Sequence, residues 1–251
     1  MAGVEGRVAL ITGGGRGIGR ATADLLAEQG AKVMCVSRSK GELAKTGHEY
    51  TVADLGTPDG SEAALADTEA RLGPIDILIC NHGLGSAHEK VIWEQDLKDW
   101  GDSIRINLDG PFYLSRLVTK GMVERHYGRL VFTSSTAAIK SEYAGSAYNS
   151  SKAGLLGLMR SVAEDGGAHG ITANAVLPGW VRTEMAERSA RYEARDRGMT
   201  PEEVWEERAA LYRPGRVATP QEVAAMIAFL ASEESSGVSG ESIRVSLGGS
   251  D

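Results

Sequence analysis

Apolar and polar positions alternate along this chain on two length scales. Short runs that are apolar almost throughout, Arg7–Thr12, Lys32–Ser37, Ile75–Cys80, Arg129–Ser134 and Ile171–Leu177, read as strands, with Glu241–Val245 as a last one. A strand that is apolar at every position has both faces covered, which is the habit of a parallel sheet between helical layers. Longer stretches with helical periodicity separate them: Gly17–Gln29, Pro58–Leu72, Leu97–Arg125, Ser146–His169 and Pro220–Ala231. Thr219 before Pro220 is a suitable N-cap, with proline at the first helical position. Gly166-Gly167 late in Ser146–His169 weakens that helix and predicts an early end or a bend. The alternation predicts one α/β domain over residues 1–251, a Rossmann-like doubly wound parallel sheet. Residues 182–216, rich in charge and aromatics, break the rhythm. They predict a helical lid or substrate wall, with a solvated helical pair as the plainer alternative.

Composition narrows the function classes. With 42% hydrophobic and 24% charged residues the chain has an ordinary globular balance. A net charge of −7 without a basic run gives no expectation of a nucleic-acid partner. No stretch reaches the roughly 20 apolar residues that span a bilayer, and Met1–Arg7 does not read as a leader, so no membrane partner is expected. Cys35 and Cys80, the only cysteines, fall inside strands and read as packed thiols. A cytoplasmic location follows. His82 and His88 lack a ligand partner at metal-binding spacing, so no metal site is expected.

The first strand runs into Thr12-Gly13-Gly14-Gly15-Arg16-Gly17-Ile18-Gly19 and then into a helix. Glycines let backbone approach a pyrophosphate, and a helix N-terminus supplies free N–H groups and the positive end of a dipole. The spacing is T-G-x-x-x-G-x-G rather than G-x-G-x-x-G. After the second strand stands Ser37-Arg38, with no carboxylate for a ribose 2′-hydroxyl. Arg38 and Arg16 are the residues to clasp a 2′-phosphate, which favours NADP(H) and leaves NAD(H) possible.

Tyr148 and Lys152, four apart, share one helix face. A phenol of pKa near 10 needs a nearby ammonium to work at neutral pH. Ser135 lies thirteen residues upstream at the C-terminal end of a strand, where open α/β sheets place ligands.

These residues, with Asp54, Asn81-His82-Gly83, Asn107 and Pro178-Gly179-Trp180-Val181-Arg182-Thr183, closely resemble the short-chain dehydrogenase/reductase family over essentially the full length. The resemblance implies reversible hydride transfer between nicotinamide and a carbonyl or secondary alcohol. It implies catalytic Asn107, Ser135, Tyr148 and Lys152: tyrosine as acid or base, serine as hydrogen-bond donor to the substrate oxygen, lysine on the ribose, and asparagine positioning a water that links lysine to solvent. Cofactor contacts would come from Gly13, Gly15, Arg16, Gly17, Ile18, Gly19, Ser37, Arg38, Asp54, Leu55, Asn81, Gly83, Tyr148, Lys152, Pro178, Gly179, Val181 and Thr183. Cys80-Asn81-His82-Gly83 departs from the family's Asn-Asn-Ala-Gly.

Ala153–Met159 is small or apolar around the helix, which with the resemblance implies a homotetramer, or at least a homodimer, through this helix and 97–125. Trp180, Met185, Tyr192, Met199, Trp205, Leu211 and Tyr212 would line an apolar pocket or else form the lid's own core. Glu142 and Lys140 stand where they would read a polar substrate group. An NADPH-dependent ketone reductase is the leading expectation, a 3-oxoacyl-thioester reductase the alternative. A regulator that has lost catalysis would lack one of the trio. A sugar-nucleotide epimerase would show a T-G-x-x-G-x-x-G turn and a larger C-terminal domain.

Overall fold

A computed structural model describes residues 3–85 and 90–249 of the chain. Seven strands, β1 (Val8–Thr12), β2 (Lys32–Ser37), β3 (Glu49–Val52), β4 (Ile77–Cys80), β5 (Gly128–Thr133), β6 (Ile171–Pro178) and β7 (Ser242–Val245), form one parallel sheet in the order β3-β2-β1-β4-β5-β6-β7. β1, β4, β5 and β6 are buried at every position, as their apolar runs require. β3 was not legible as a strand: Glu-Tyr-Thr-Val is short, half-exposed and lies at the sheet edge.

Alternate residues of β1 feed two separate cores. Ala9 and Ile11 pack with Leu26 of α1 (Gly17–Glu28), Leu43 of the short α2 (Lys40–Leu43), and Val223 and Ile227 of α9 (Pro220–Ala231). Val8 and Leu10 face Ala64 of α3 (Pro58–Leu72), Leu114 of α5 (Gly110–Arg125) and Leu155 of α6 (Ser146–Gly167). Each fully buried aliphatic side chain contributes about 1.5–3 kcal/mol.

The expected helix over 97–125 is continuous but not uniform. It divides into α4 (Leu97–Ile104), a π-helical turn (Arg105–Asp109) and α5. Pro111 has no N–H to give the Asn107 carbonyl four residues before it, and the Gly110 N–H reaches back five residues to the Arg105 carbonyl, so the ladder widens there. α6 ends at Gly167, two residues short of the expected boundary. Gly166 admits close packing: a Cβ there would lie 2.9 Å from Ile171 Cβ.

Residues 182–216 contain α7 (Glu184–Arg197) and α8 (Pro201–Ala210), each started by a threonine N-cap, Thr183 and Thr200. Ala186, Ala190 and Ala194 meet Val204 and Trp205, with Trp180 and Met199 packed on them. Of the candidate pocket residues, Trp180, Met199 and Trp205 therefore belong to the core of this helical pair. Met185, Tyr192 and Leu211 remain exposed. Among the described residues no helix is long and apolar enough to cross a membrane, and no group of three ligands could hold a metal ion. His88 lies outside the described residues.

Candidate active site

Strand order reverses between β1 and β4, which opens a crevice at their C-terminal ends. The glycine turn crosses that crevice. Gly13 and Gly17 take left-handed φ values of +66° and +54°. Gly19 is forced by contact, since a Cβ would stand 2.3 Å from the Gly13 carbonyl oxygen. Unlike α3, α7, α8 and α9, whose first N–H groups are capped by threonines, α1 has no side-chain cap and no acidic residue in its first turn. An uncapped N-terminus behind a glycine cradle fits a pyrophosphate.

Around this turn the other candidate binding residues assemble. Asn81 N–H donates to Thr12 Oγ1 (2.8 Å) and its side chain to the Thr12 carbonyl (3.2 Å). Thr183, at the start of α7, comes within 3.3 Å of where a Gly17 Cβ would be. Tyr212 Oη accepts from the Trp180 N–H (2.7 Å), anchoring the Pro178–Thr183 loop to the end of the lid. Arg16 reaches up to Glu184 of α7 (3.0 Å). Arg38 is exposed and has no ion pair among the described residues, while Ser37 Oγ donates to the Ser39 carbonyl (2.9 Å). The free cation beside the expected 2′-position is thus Arg38, and Arg16 would have to leave Glu184 to join it. Asp54, at the end of β3 before Leu55, caps Gly56 N–H (3.1 Å) and pairs with Arg105 (3.3 Å).

The catalytic candidates converge at the C-terminal end of β5. Ser135 follows the strand, and its Oγ accepts from Ala137 N–H (3.1 Å), turning the chain toward α6. Lys152 is buried and donates to the Thr133 carbonyl (2.9 Å). Its Nζ lies 5.7 Å from the centre of the Tyr148 ring. Burial pushes the Lys152 ammonium down to about 8, with Cys80 opposing. Asn107 sits on the π turn with both of its side-chain N–H groups committed. It accepts from Leu84 N–H (2.7 Å) and donates to the Leu84 carbonyl (3.1 Å) and Ser151 Oγ (3.0 Å). Ser151 in turn donates to the Tyr148 carbonyl (2.8 Å). Asn107 therefore braces the Tyr148 helix through Ser151.

One feature was hidden in the sequence. Arg208, 4% exposed, donates to the Ala186 carbonyl (3.2 Å), Ser189 (3.0 Å) and Glu193 (2.8 Å) and stacks on Trp180 at 3.6 Å. It ties α7, α8 and the Pro178–Thr183 loop into one packed unit. A lone arginine in a charged stretch gives no sign of this. Glu142, expected from the sequence on the loop before Tyr148, is exposed as a residue, and only partial loss of water at its carboxyl raises it above the usual range, with Arg208 opposing. Both cysteines are buried free thiols; burial pushes Cys35 up to about 12 and raises Cys80 as well. A cavity of about 660 Å3 lined by Arg129, Arg160, Glu164 and Gly240 opens at the other end of the sheet and holds none of the candidates.

Comparison with known proteins identifies the family. A family model described as enoyl-(acyl carrier protein) reductase matches residues 13–250. The chain is 32% identical to a 3-oxoacyl-[acyl-carrier-protein] reductase of Vibrio cholerae, covering 98% of each. It is 35% identical to an acetoacetyl-CoA reductase of Shinella zoogloeoides, covering 96% of this chain and 98% of the relative. Among solved structures it is similar to levodione reductase (TM-score 0.93, 32% identity, 98% of each chain). Actinorhodin polyketide ketoreductase with NADPH gives 0.92 at 30% identity over 96% of each, and NAD+-bound xylitol dehydrogenase 0.90 at 27% over 97% and 99%. The chain belongs to the short-chain dehydrogenase/reductase family. It is an oxidoreductase of keto and hydroxyl groups that uses a nicotinamide cofactor.

Proposed function

We propose that the protein is an NADPH-dependent ketone reductase in which Tyr148 is the proton donor. The observation that carries this reading is a buried lysine directly behind Tyr148, beside a glycine cradle whose helix N-terminus is left uncapped. The bound nicotinamide would supply the hydride. Tyr148 Oη gives a proton to the carbonyl oxygen, and the reverse direction begins with its phenolate. Ser135 Oγ donates to the same oxygen and stabilises the charge that develops on it. Lys152, charged at neutral pH because its titration lies near 8, favours the phenolate and is placed to hold the ribose. Asn107 keeps the helix bearing both residues fixed through its hydrogen bond to Ser151. Arg38 supports the preference for NADPH.

Met185 is the apolar lid residue that reaches the mouth of the site, 3.2 Å from where a Gly85 Cβ would stand. A bulky or cyclic ketone suits it. A 3-oxoacyl thioester is the second reading, favoured by the two relatives whose names carry thioester substrates. Exposed Phe112 on α5 and exposed Ala153 and Gly157 on α6 support a homotetramer or homodimer closing over these helices, and two reduced thiols suit the cytoplasm. The test is turnover of cyclic ketones and 3-oxoacyl thioesters with NADPH and NADH. A tenfold or larger kcat/KM advantage for NADPH with a ketone supports the reading; preference for NADH, or for thioesters alone, overturns it.

A further inference from the structure

His82 departs from the alanine usual at its place in the family motif, and the reaction as proposed gives it no work. Its surroundings do. Nδ1 hydrogen-bonds Thr12 Oγ1 (2.8 Å) at the end of β1, where the His82 N–H also lands (3.1 Å). Nε2 is buried and makes no hydrogen bond of ordinary geometry among the described residues, the ring's other polar neighbour being the Ile106 backbone. The ring points into the junction between the π turn and α5. A Cβ at Gly110 would stand 2.7 Å from Nε2 and 2.7 Å from the Leu55 carbonyl oxygen, so only glycine admits the imidazole. Thus the ring bridges the end of β1 and the helix that carries Asn107.

The segment it belongs to is held at both ends by the same parts. Asn81 and His82 hang from Thr12, and Leu84 hangs from Asn107 through both its N–H and its carbonyl. Between them Gly83 passes so close that a Cβ would be 3.1 Å from Asn107 Oδ1 and 3.5 Å from Lys152 Nζ. We propose that His82 is a positioning residue for Lys152: wedged between Thr12 and the bare backbone of Gly110, its ring sets the distance from Gly83 to Asn107 and closes the space beside the lysine to water. The charges around the ring are Lys152 on α6, Arg38 after β2 and Asp54 after β3. Burial, Lys152 and Arg38 hold the imidazole down to about 4, opposed by the Ile106 backbone and Asp54, so it stays neutral at working pH. A neutral wedge can stand beside an ammonium where a charged one could not.

The inference rests on the placement of Lys152 above, and its test does not require turnover. Lysine-labelled protein is titrated by NMR without cofactor, with Lys152→Ala assigning the signal. The wild-type midpoint is expected near 8. His82→Ala admits water beside Nζ and should raise the midpoint by about one pH unit, a tenfold weaker acid. His82→Asn, which can keep the Thr12 hydrogen bond and part of the volume, should recover most of the shift. Gly110→Ala displaces the ring from the opposite side and should also move the midpoint, which covers the case in which His82→Ala does not fold. An unmoved Lys152 midpoint in whichever of these two variants folds overturns the proposal, whether or not a substrate for the enzyme is known.

Discussion

Replacing Lys152 with methionine should make the protein more stable while removing its activity. The side chain is 5% exposed, and its titration is lowered from 10.5 to about 8. A drop of that size corresponds to about 3 kcal/mol of penalty on the charged form in the folded state. Because the folded value lies below the unfolded one, the penalty is complete below pH 8 and fades as pH rises from 8 toward 10.5. Methionine gives up the hydrogen bond to the Thr133 carbonyl, about 1 kcal/mol. The net expectation is a gain of about 2 kcal/mol at pH 6.5 that shrinks below about 1 kcal/mol by pH 9.5. Urea unfolding of both proteins at one protomer concentration, across that range, measures it. A variant that is less stable than wild type at pH 6.5, or a difference that does not change with pH, would refute the reasoning. The buried ammonium is then a local cost kept for chemistry.

Arg38→Asp should lower kcat/KM with NADPH about 10- to 100-fold, the size of one or two lost charge-assisted hydrogen bonds, and leave NADH nearly unchanged; steady-state kinetics with both cofactors decides it. Arg208→Met removes three donated hydrogen bonds and the stack on Trp180 from the lid. It should cost about 2–4 kcal/mol locally, seen as faster limited proteolysis within 184–210 and a raised substrate KM, with little change in far-UV circular dichroism.

Much of the fold was readable because its sheet is parallel: strands buried on both faces announce themselves as apolar runs, and β1, β2, β4, β5 and β6 did so within a residue or two. β3 failed that test because an edge strand of four residues beginning with Glu49 has little to bury. The lid helices could be expected from caps at Thr183 and Thr200, but whether Trp180 and Trp205 faced substrate or each other depended on the buried guanidinium of Arg208, a tertiary fact. Candidate site residues were placed at strand ends and helix starts, and for most of them the family resemblance, rather than spacing alone, was what pointed there. The π turn under Asn107 was not legible in the sequence, whose periodicity predicts one helix over 97–125; Pro111, with its missing N–H, is a local sign consistent with it. His82 was visible only as an oddity. Its fit against Gly110 joins residues 28 positions apart, and no periodic pattern reports such a contact.

The central claim, that Tyr148 moves the proton while a nicotinamide moves the hydride, is tested most directly with a 4-deuterated cofactor and a reducible ketone. Wild-type protein should place deuterium on the carbinol carbon of the product. Tyr148→Phe should bind the cofactor within about threefold of wild type yet transfer label about 10²- to 10⁴-fold more slowly, the usual contribution of a positioned proton donor. Label transfer by Tyr148→Phe within tenfold of the wild-type rate would contradict the account.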